Sequence, residues 1–222
     1  SALRAAGLQR VNISLDSLQR DRFIELTRRD ALADVLAGIG AAIAAGFSPV
    51  KVNVVAMAGV NEDEIVDFAR FGRQRGVEVR FIEWMPLDGG HTWSPVSVVA
   101  GEKIISTINE VFPLSPLGRP DGSPAEEWAY DDLPSVRVGA IPSVTAPFCS
   151  SCDRVRLTAE GALRSCLFSV EETDLRALLR GGASDDELEA AVRGCVSAKW
   201  AGHSIGQVAF IRPRRSMSQI GG

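Results

Sequence analysis

No stretch of this chain holds the roughly 18–20 apolar residues that a helix needs to span a bilayer. No signal-peptide pattern stands at its start either, so the expectation is a soluble, cytoplasmic protein. Histidine is scarce: two occur in 222 residues. His91 and His203 stand alone, and each reads as a surface or loop residue rather than a ligand. Four cysteines in a chain of this length do not make a disulfide scaffold. Reduced thiols are the better expectation, and there a C-x2-C pair leans toward metal or redox chemistry. An excess of positive charge is also missing. The net charge of −4 argues against a general nucleic-acid binder. What remains, 45% hydrophobic and 23% charged, is the composition of a globular protein.

The chemistry concentrates late in the chain. Cys149 and Cys152 are followed by Cys166, with Arg154 and Arg156 just beyond the pair. Three thiolates can hold a metal centre with one position open, and guanidinium forks grip phosphate oxygens bidentately. The bland alternative is a set of small buried side chains, since reduced cysteine is often simply buried. A closed structural zinc site needs a fourth Cys or His. Cys195 falls on a helical apolar face with Leu188, Ala191 and Val192, so core packing is expected of it. Without an evident fourth ligand, an iron–sulfur cluster with one open iron is favoured over zinc.

The first half alternates strand and helix. Val11–Leu15, Pro49–Met57 and Val77–Glu83 read as strands, and residues 18–28, 31–45 and 62–75 as helices. Asn61 with Glu64 reads as a capping box. This βαβ pattern implies parallel strands, and in barrel-like α/β folds ligand groups come from strand C-terminal ends. Ser14, Asp16, Lys51, Asn53, Arg80, Glu83 and Met85 are the residues so placed. Lys51 and Arg80 are charges inside apolar strands. The plain reading is solvent exposure or pairing with Glu78 or Glu83. Met85 is by itself ordinary core filler, and Ser14 a satisfied strand-end hydroxyl. Residues 113–134, rich in Pro, Gly and Asp, read as a long surface connection. A helix over 100–112, a strand over 135–141, a hairpin over 154–168, and helices near 171–180 and 185–200 complete the pattern. The basic tail (Arg212, Arg214, Arg215) reads as solvated charge, before Gly221-Gly222. The start, Leu3 to Gly7, reads as a helix end, so a preceding segment is expected to be missing.

Together these pieces resemble the molybdenum cofactor biosynthesis protein A family, the GTP 3′,8-cyclases of the radical S-adenosylmethionine superfamily. The matching stretches are Arg10–Leu18, Val50–Val55, Arg80–Leu87, the Cys149–Cys166 segment and the terminal Gly-Gly. The resemblance implies an α/β fold: the C-terminal half of a (β/α)6 TIM-like barrel over 1–97, and an α+β extension over 98–222 carrying a [4Fe–4S] cluster. It implies Cys149, Cys152 and Cys166 as the cluster ligands, with the open iron on guanine. Lys51, Arg80, Arg154 and Arg156 match GTP-binding positions, and Ser14 and Met85 match positions that touch S-adenosylmethionine. Gly221 and Gly222 match a tail that reaches into the active site, which makes them catalytic-site candidates.

The family's radical-initiating cluster sits in an early C-x3-C-x2-C motif that this sequence lacks. That second [4Fe–4S] cluster is expected only in a missing N-terminal part. The reaction implied is GTP to (8S)-3′,8-cyclo-7,8-dihydroguanosine 5′-triphosphate, and this chain alone is expected to be inactive. A truncated reading frame or a fragment is the favoured explanation, and a non-catalytic cluster- or zinc-holding nucleotide module the alternative. The implied partners are GTP, S-adenosylmethionine, an electron donor, the downstream cyclic pyranopterin monophosphate synthase and a second copy in a homodimer, with no nucleic acid and no membrane.

Overall fold

The computed structural model describes residues 2–87, 92–120, 123–199, 205, 213 and 215–220. The chain forms two compact units. One comprises Ser1–Trp84 and Val96–Ala146, the other Met85–Pro95 and Pro147–Gly222. The division thus runs differently from a single boundary at residue 97. Residues 98–146 are joined to the first unit by strand pairing.

In the first unit, a short helix α1 (Ala2–Ala5) precedes β1 (Val11–Ser14), α2 (Arg20–Thr27), α3 (Leu32–Ala44), β2 (Val50–Ala56), α4 (Ile65–Arg75), β3 (Glu78–Glu83) and α5 (Gly101–Asn109). Strands β4 (Leu114–Gly118), β5 (Glu126–Tyr130) and β6 (Leu133–Ile141) follow. All six strands form one sheet in the order β1-β2-β3-β6-β5-β4. The first four are mutually parallel, β5 runs antiparallel to β6, and β4 antiparallel to β5.

The strict alternation along β2 buries Val50, Val52, Val54 and Ala56 on one face and leaves Lys51, Asn53 and Val55 on the other. The buried face, continued by Val79, Phe81 and Val138, meets Phe23, Ile39, Phe68, Ile104 and Ile108. Phe68 and Phe81 pack edge to face at 6.3 Å. Each such side chain contributes about 1.5–3 kcal/mol by burial. The sheet therefore has one apolar, helix-covered face and one polar face.

Two expectations for this unit fail. Residues 113–134 are not a surface connection, because they carry β4 and β5. Pro116 is tolerated because β4 is an edge strand. Gly118, at φ +81°, sits at a register shift in the pairing with β5. Residue types that read as loop are edge and bulge devices here. The capping box at Asn61 and Glu64 does not form either. Asn61 instead accepts from the Met57 amide at 2.8 Å and donates to the Asp16 and Val55 carbonyls at 2.7 and 2.8 Å. The buried Glu64 carboxylate accepts from Ser17 Oγ at 2.8 Å, the Leu18 amide at 2.6 Å and Arg22. Partners distant in sequence, brought in by folding, displace the local cap.

Helix α2 ends on Arg28 in the left-handed region at φ 60°. A side chain there is strained where glycine is not. Arg28→Gly is expected to raise stability to urea by about 0.5–1 kcal/mol; a loss of stability would contradict this account of the helix end.

The second unit contains β7 (Arg156–Leu157), β8 (Ala162–Arg164), β9 (Thr173–Asp174), α6 (Leu175–Arg180) and α7 (Asp185–Ser197). The three strands form an antiparallel sheet in chain order. Gly161, at φ +85°, makes the β7–β8 turn, where a Cβ would lie 2.8 Å from that of Arg176. Ser184 and Glu187 cap α7 with a full capping box, as its sequence predicts. Cys195 is not in a packed core. It is half-buried, and no residue of α7 is fully buried; the helix packs against α6 and the two short strands β8 and β9.

Candidate functional site

In the first unit, Ser14 ends β1 exposed on the polar sheet face, paired in register with Asn53 of β2. Lys51 and Arg80 share that face and belong to a row of charges built around the buried Glu78 and Glu127. Lys51 Nζ lies 3.5 Å from Glu78. Arg80 pairs with Glu78 through Nε and with Glu127 at 2.9 Å through Nη2. Arg137 closes the row, 2.9 Å from the other oxygen of Glu127. Buried charges require such partners. Gly139 permits the arrangement, because a Cβ there would lie 3.4 Å from Arg80 Cγ and 3.1 Å from the Glu126 carbonyl. The pairing with Glu78 agrees with the plain reading of Lys51 and Arg80. Glu127 was not foreseen, because it comes from a strand that read as a connection; Arg137 lies on the strand read over 135–141 but was not singled out.

Glu83, at the end of β3, is not an open catalytic carboxylate. It is 1% exposed. Oε1 accepts from the Gly101 amide at 2.8 Å and from Thr145 Oγ1. Oε2 accepts from the amides of Val144 and Thr145 at 2.7 and 2.8 Å. Asp16, just past β1, accepts from the Val55 amide at 2.8 Å. Burial raises its carboxyl above the usual value, with that amide opposing.

In the second unit, all four cysteines are reduced. Cys149, Cys152 and Cys166 are half-buried, with Cys149 opening a short 3-10 turn that Cys152 closes. Burial pushes the Cys152 thiol up. The Arg154 amide, the Arg154 guanidinium and Lys199 together outweigh that and hold it below the usual value. The Arg154 guanidinium reaches Cys152 Sγ at 3.6 Å and lies 4.9 Å from the centre of the Phe148 ring. The Phe168 amide points at Cys166 Sγ at 3.5 Å. Arg156 is half-buried. Its burial lowers the guanidinium's affinity for its proton, with Arg154 and Arg164 acting in the same sense and Cys166 and Cys152 opposing. Arg156 thus has two of the three thiols and two further arginines within electrostatic reach. Arg164 pairs with it across the β7–β8 ladder and is 2% exposed. Sequence reasoning passed over Arg164, since only strand register places it there.

Among the described residues, no group of three or more His, Cys, Asp or Glu side chains is assembled to hold a single metal ion. The donor chemistry nevertheless fits an iron–sulfur cluster: three cysteine sulfurs with N–H donors directed at two of them, under a local excess of arginine.

Met85 falls in the second unit, half-buried, with its carbonyl accepting from the Leu87 amide at 2.8 Å. Gly221, Gly222, His91 and His203 lie outside the described residues. The residues just before the Gly-Gly end are held. Ile220 is buried, and its carbonyl accepts from Arg156 Nη1 at 3.2 Å. No described helix is long and apolar enough to cross a membrane.

Residues 77–205 match the family model described as Molybdenum Cofactor Synthesis C, and residues 1–72 match that of the Radical SAM superfamily. A protein of Mycobacterium tuberculosis named GTP 3′,8-cyclase 2 is 52% identical over 100% of this chain and 62% of its own length. GTP 3′,8-cyclases of Mycolicibacterium smegmatis and Rhodococcus opacus are 51% and 50% identical over 99% of this chain and 62% of their own lengths. The chain spans about three fifths of the length of these curated relatives. With a radical SAM segment leading into it, this chain belongs to the molybdenum cofactor synthesis C family.

Proposed function

We propose that this chain is the C-terminal portion of a GTP 3′,8-cyclase, acting early in molybdenum cofactor biosynthesis. The observation that carries the reading is the second unit's site, where Cys152, Cys166, Arg154 and Arg164 surround Arg156, and Arg156 holds the residue before the Gly-Gly end. A soft cluster beside several guanidiniums suits a purine nucleotide with a triphosphate.

In this reading Cys149, Cys152 and Cys166 hold a [4Fe–4S] cluster. When bound, the cluster supplies a soft metal contact to the guanine that no side chain offers. Arg154, Arg156, Lys51 and Arg80 bind the anionic part of GTP. Ser14 and Met85 contact S-adenosylmethionine. Gly221 and Gly222 enter the active site, where residues without side chains fit a tight cavity. The first unit supplies the C-terminal half of a (β/α)6 barrel, its polar sheet face serving as the inner wall. The product is (8S)-3′,8-cyclo-7,8-dihydroguanosine 5′-triphosphate, passed to cyclic pyranopterin monophosphate synthase. An electron donor, a homodimeric state and a cytoplasmic location complete the reading.

The radical-initiating C-x3-C-x2-C motif is not in this sequence, so the chain by itself binds GTP without converting it. The test is to incubate the anaerobically reconstituted chain with GTP, S-adenosylmethionine and dithionite. GTP binding with no 3′,8-cyclised product by mass spectrometry is expected. Product from this chain alone overturns the inactivity, and absence of GTP binding overturns the nucleotide site.

A further inference from the structure

Arg164 is buried on β8, two residues before Cys166. Its Nη2 donates to the carbonyls of Leu167, at 3.2 Å, and Ser169, and its Nη1 pairs with Glu172. Its Nε is buried with no hydrogen-bond partner. A buried arginine with one N–H unsatisfied is a poor source of stability, so its value lies in what it holds in place. It holds the 167–169 turn, which directs the Phe168 amide at Cys166 Sγ.

The same Glu172 carboxylate is gripped from the other side by the tail. Arg215 donates to Glu172 through Nε at 2.7 Å and Nη2 at 3.0 Å, a bidentate pair, and through Nη1 to Glu160 at 3.2 Å. Immediately after Arg215, Ser216 and Gln219 form a capping box, the Met217 amide donates to the Leu87 carbonyl at 3.1 Å, and Ile220 is buried. The tail is therefore docked at three points, and Arg215 is not solvated charge.

We propose that Glu172 is a shared anchor that couples the turn carrying Cys166 to the C-terminal segment, with Arg164 and Arg215 as positioning residues. Neither arginine contacts a ligand. Arg164 sets the Cys166 turn, and Arg215 sets where the chain enters Gly221-Gly222. The inference rests on the reading of Cys166 and the Gly-Gly end given above. Its test needs neither iron nor nucleotide, so the two fail separately.

The test is amide hydrogen exchange on the full chain and its variants. Two sets of amides report: Met217, Gln219 and Ile220 for the tail, and Phe168 and Ser169 for the turn. Arg215→Gln is expected to speed exchange about ten-fold in the tail set, as loss of a charge-assisted bidentate pair requires, and several-fold in the turn set through Glu172. Arg215→Lys, which keeps the charge but not the fork, is expected to restore part of the protection in both sets. Glu172→Gln is expected to loosen both sets at once. Loosening of the tail alone in Arg215→Gln would overturn the coupling, and no change in either set would overturn the anchor. If Arg215→Lys behaves as Arg215→Gln, the charge pairing is not what holds the segment and the proposal falls.

Discussion

Glu83→Leu is expected to destabilise the first unit by about 3–5 kcal/mol, because several buried donors lose their acceptor at once. The carboxylate is 1% exposed and serves four donors from two segments, the start of α5 and the turn at 144–145. Leucine fills a similar volume but strands the amides of Gly101, Val144 and Thr145, and an unsatisfied buried donor costs about 1–3 kcal/mol. Glu83→Gln keeps one acceptor oxygen but turns an NH2 group toward backbone N–H groups, so it recovers only part of the loss. Urea unfolding of the three proteins measures the series. A loss below about 1 kcal/mol in Glu83→Leu would show that water replaces the carboxylate, and that Glu83 does not tie β3 to these segments.

Arg156→Ala is expected to weaken GTP binding by about 1.5–3 kcal/mol, the range for hydrogen bonds to charged groups, or roughly ten- to over a hundred-fold. Arg156 is half-buried, faces two thiols, and also holds the Ile220 carbonyl. Its removal therefore costs the ligand contact and loosens the tail. Arg154 is exposed and leans on Phe148, so Arg154→Ala is expected to lose less. Arg156→Lys keeps the charge but not the fork, so its recovery is partial. Calorimetric titration with GTP ranks the three. An Arg156→Ala protein that binds as well as the parent would remove the nucleotide from this site.

The sequence disclosed the parallel half of the fold because period-two alternation on β2 and periodic apolar residues on α3 and α5 are local signals. It concealed β4 and β5 because Pro116 and Gly118 carry the composition of a turn while serving an edge and a bulge. The three cysteines and the arginine pair were singled out by their spacing, while the belonging to a family rests on matches along the whole chain. Arg164, Glu127 and the Arg215–Glu172 pair were not legible. Their roles depend on partners 8 to 47 residues away that only strand register and tail docking bring near. Glu64 illustrates the converse, a local capping pattern overruled by Ser17, Leu18 and Arg22.

The central claim is that Cys149, Cys152 and Cys166 hold an iron–sulfur cluster. Anaerobic reconstitution with iron and sulfide, followed by counting iron, sulfide and zinc per chain, tests it most directly. About four irons and four sulfides per chain, lost in Cys149→Ala, is the expected result. One zinc with no iron would contradict it, and would leave a zinc-holding nucleotide module in place of the cyclase site.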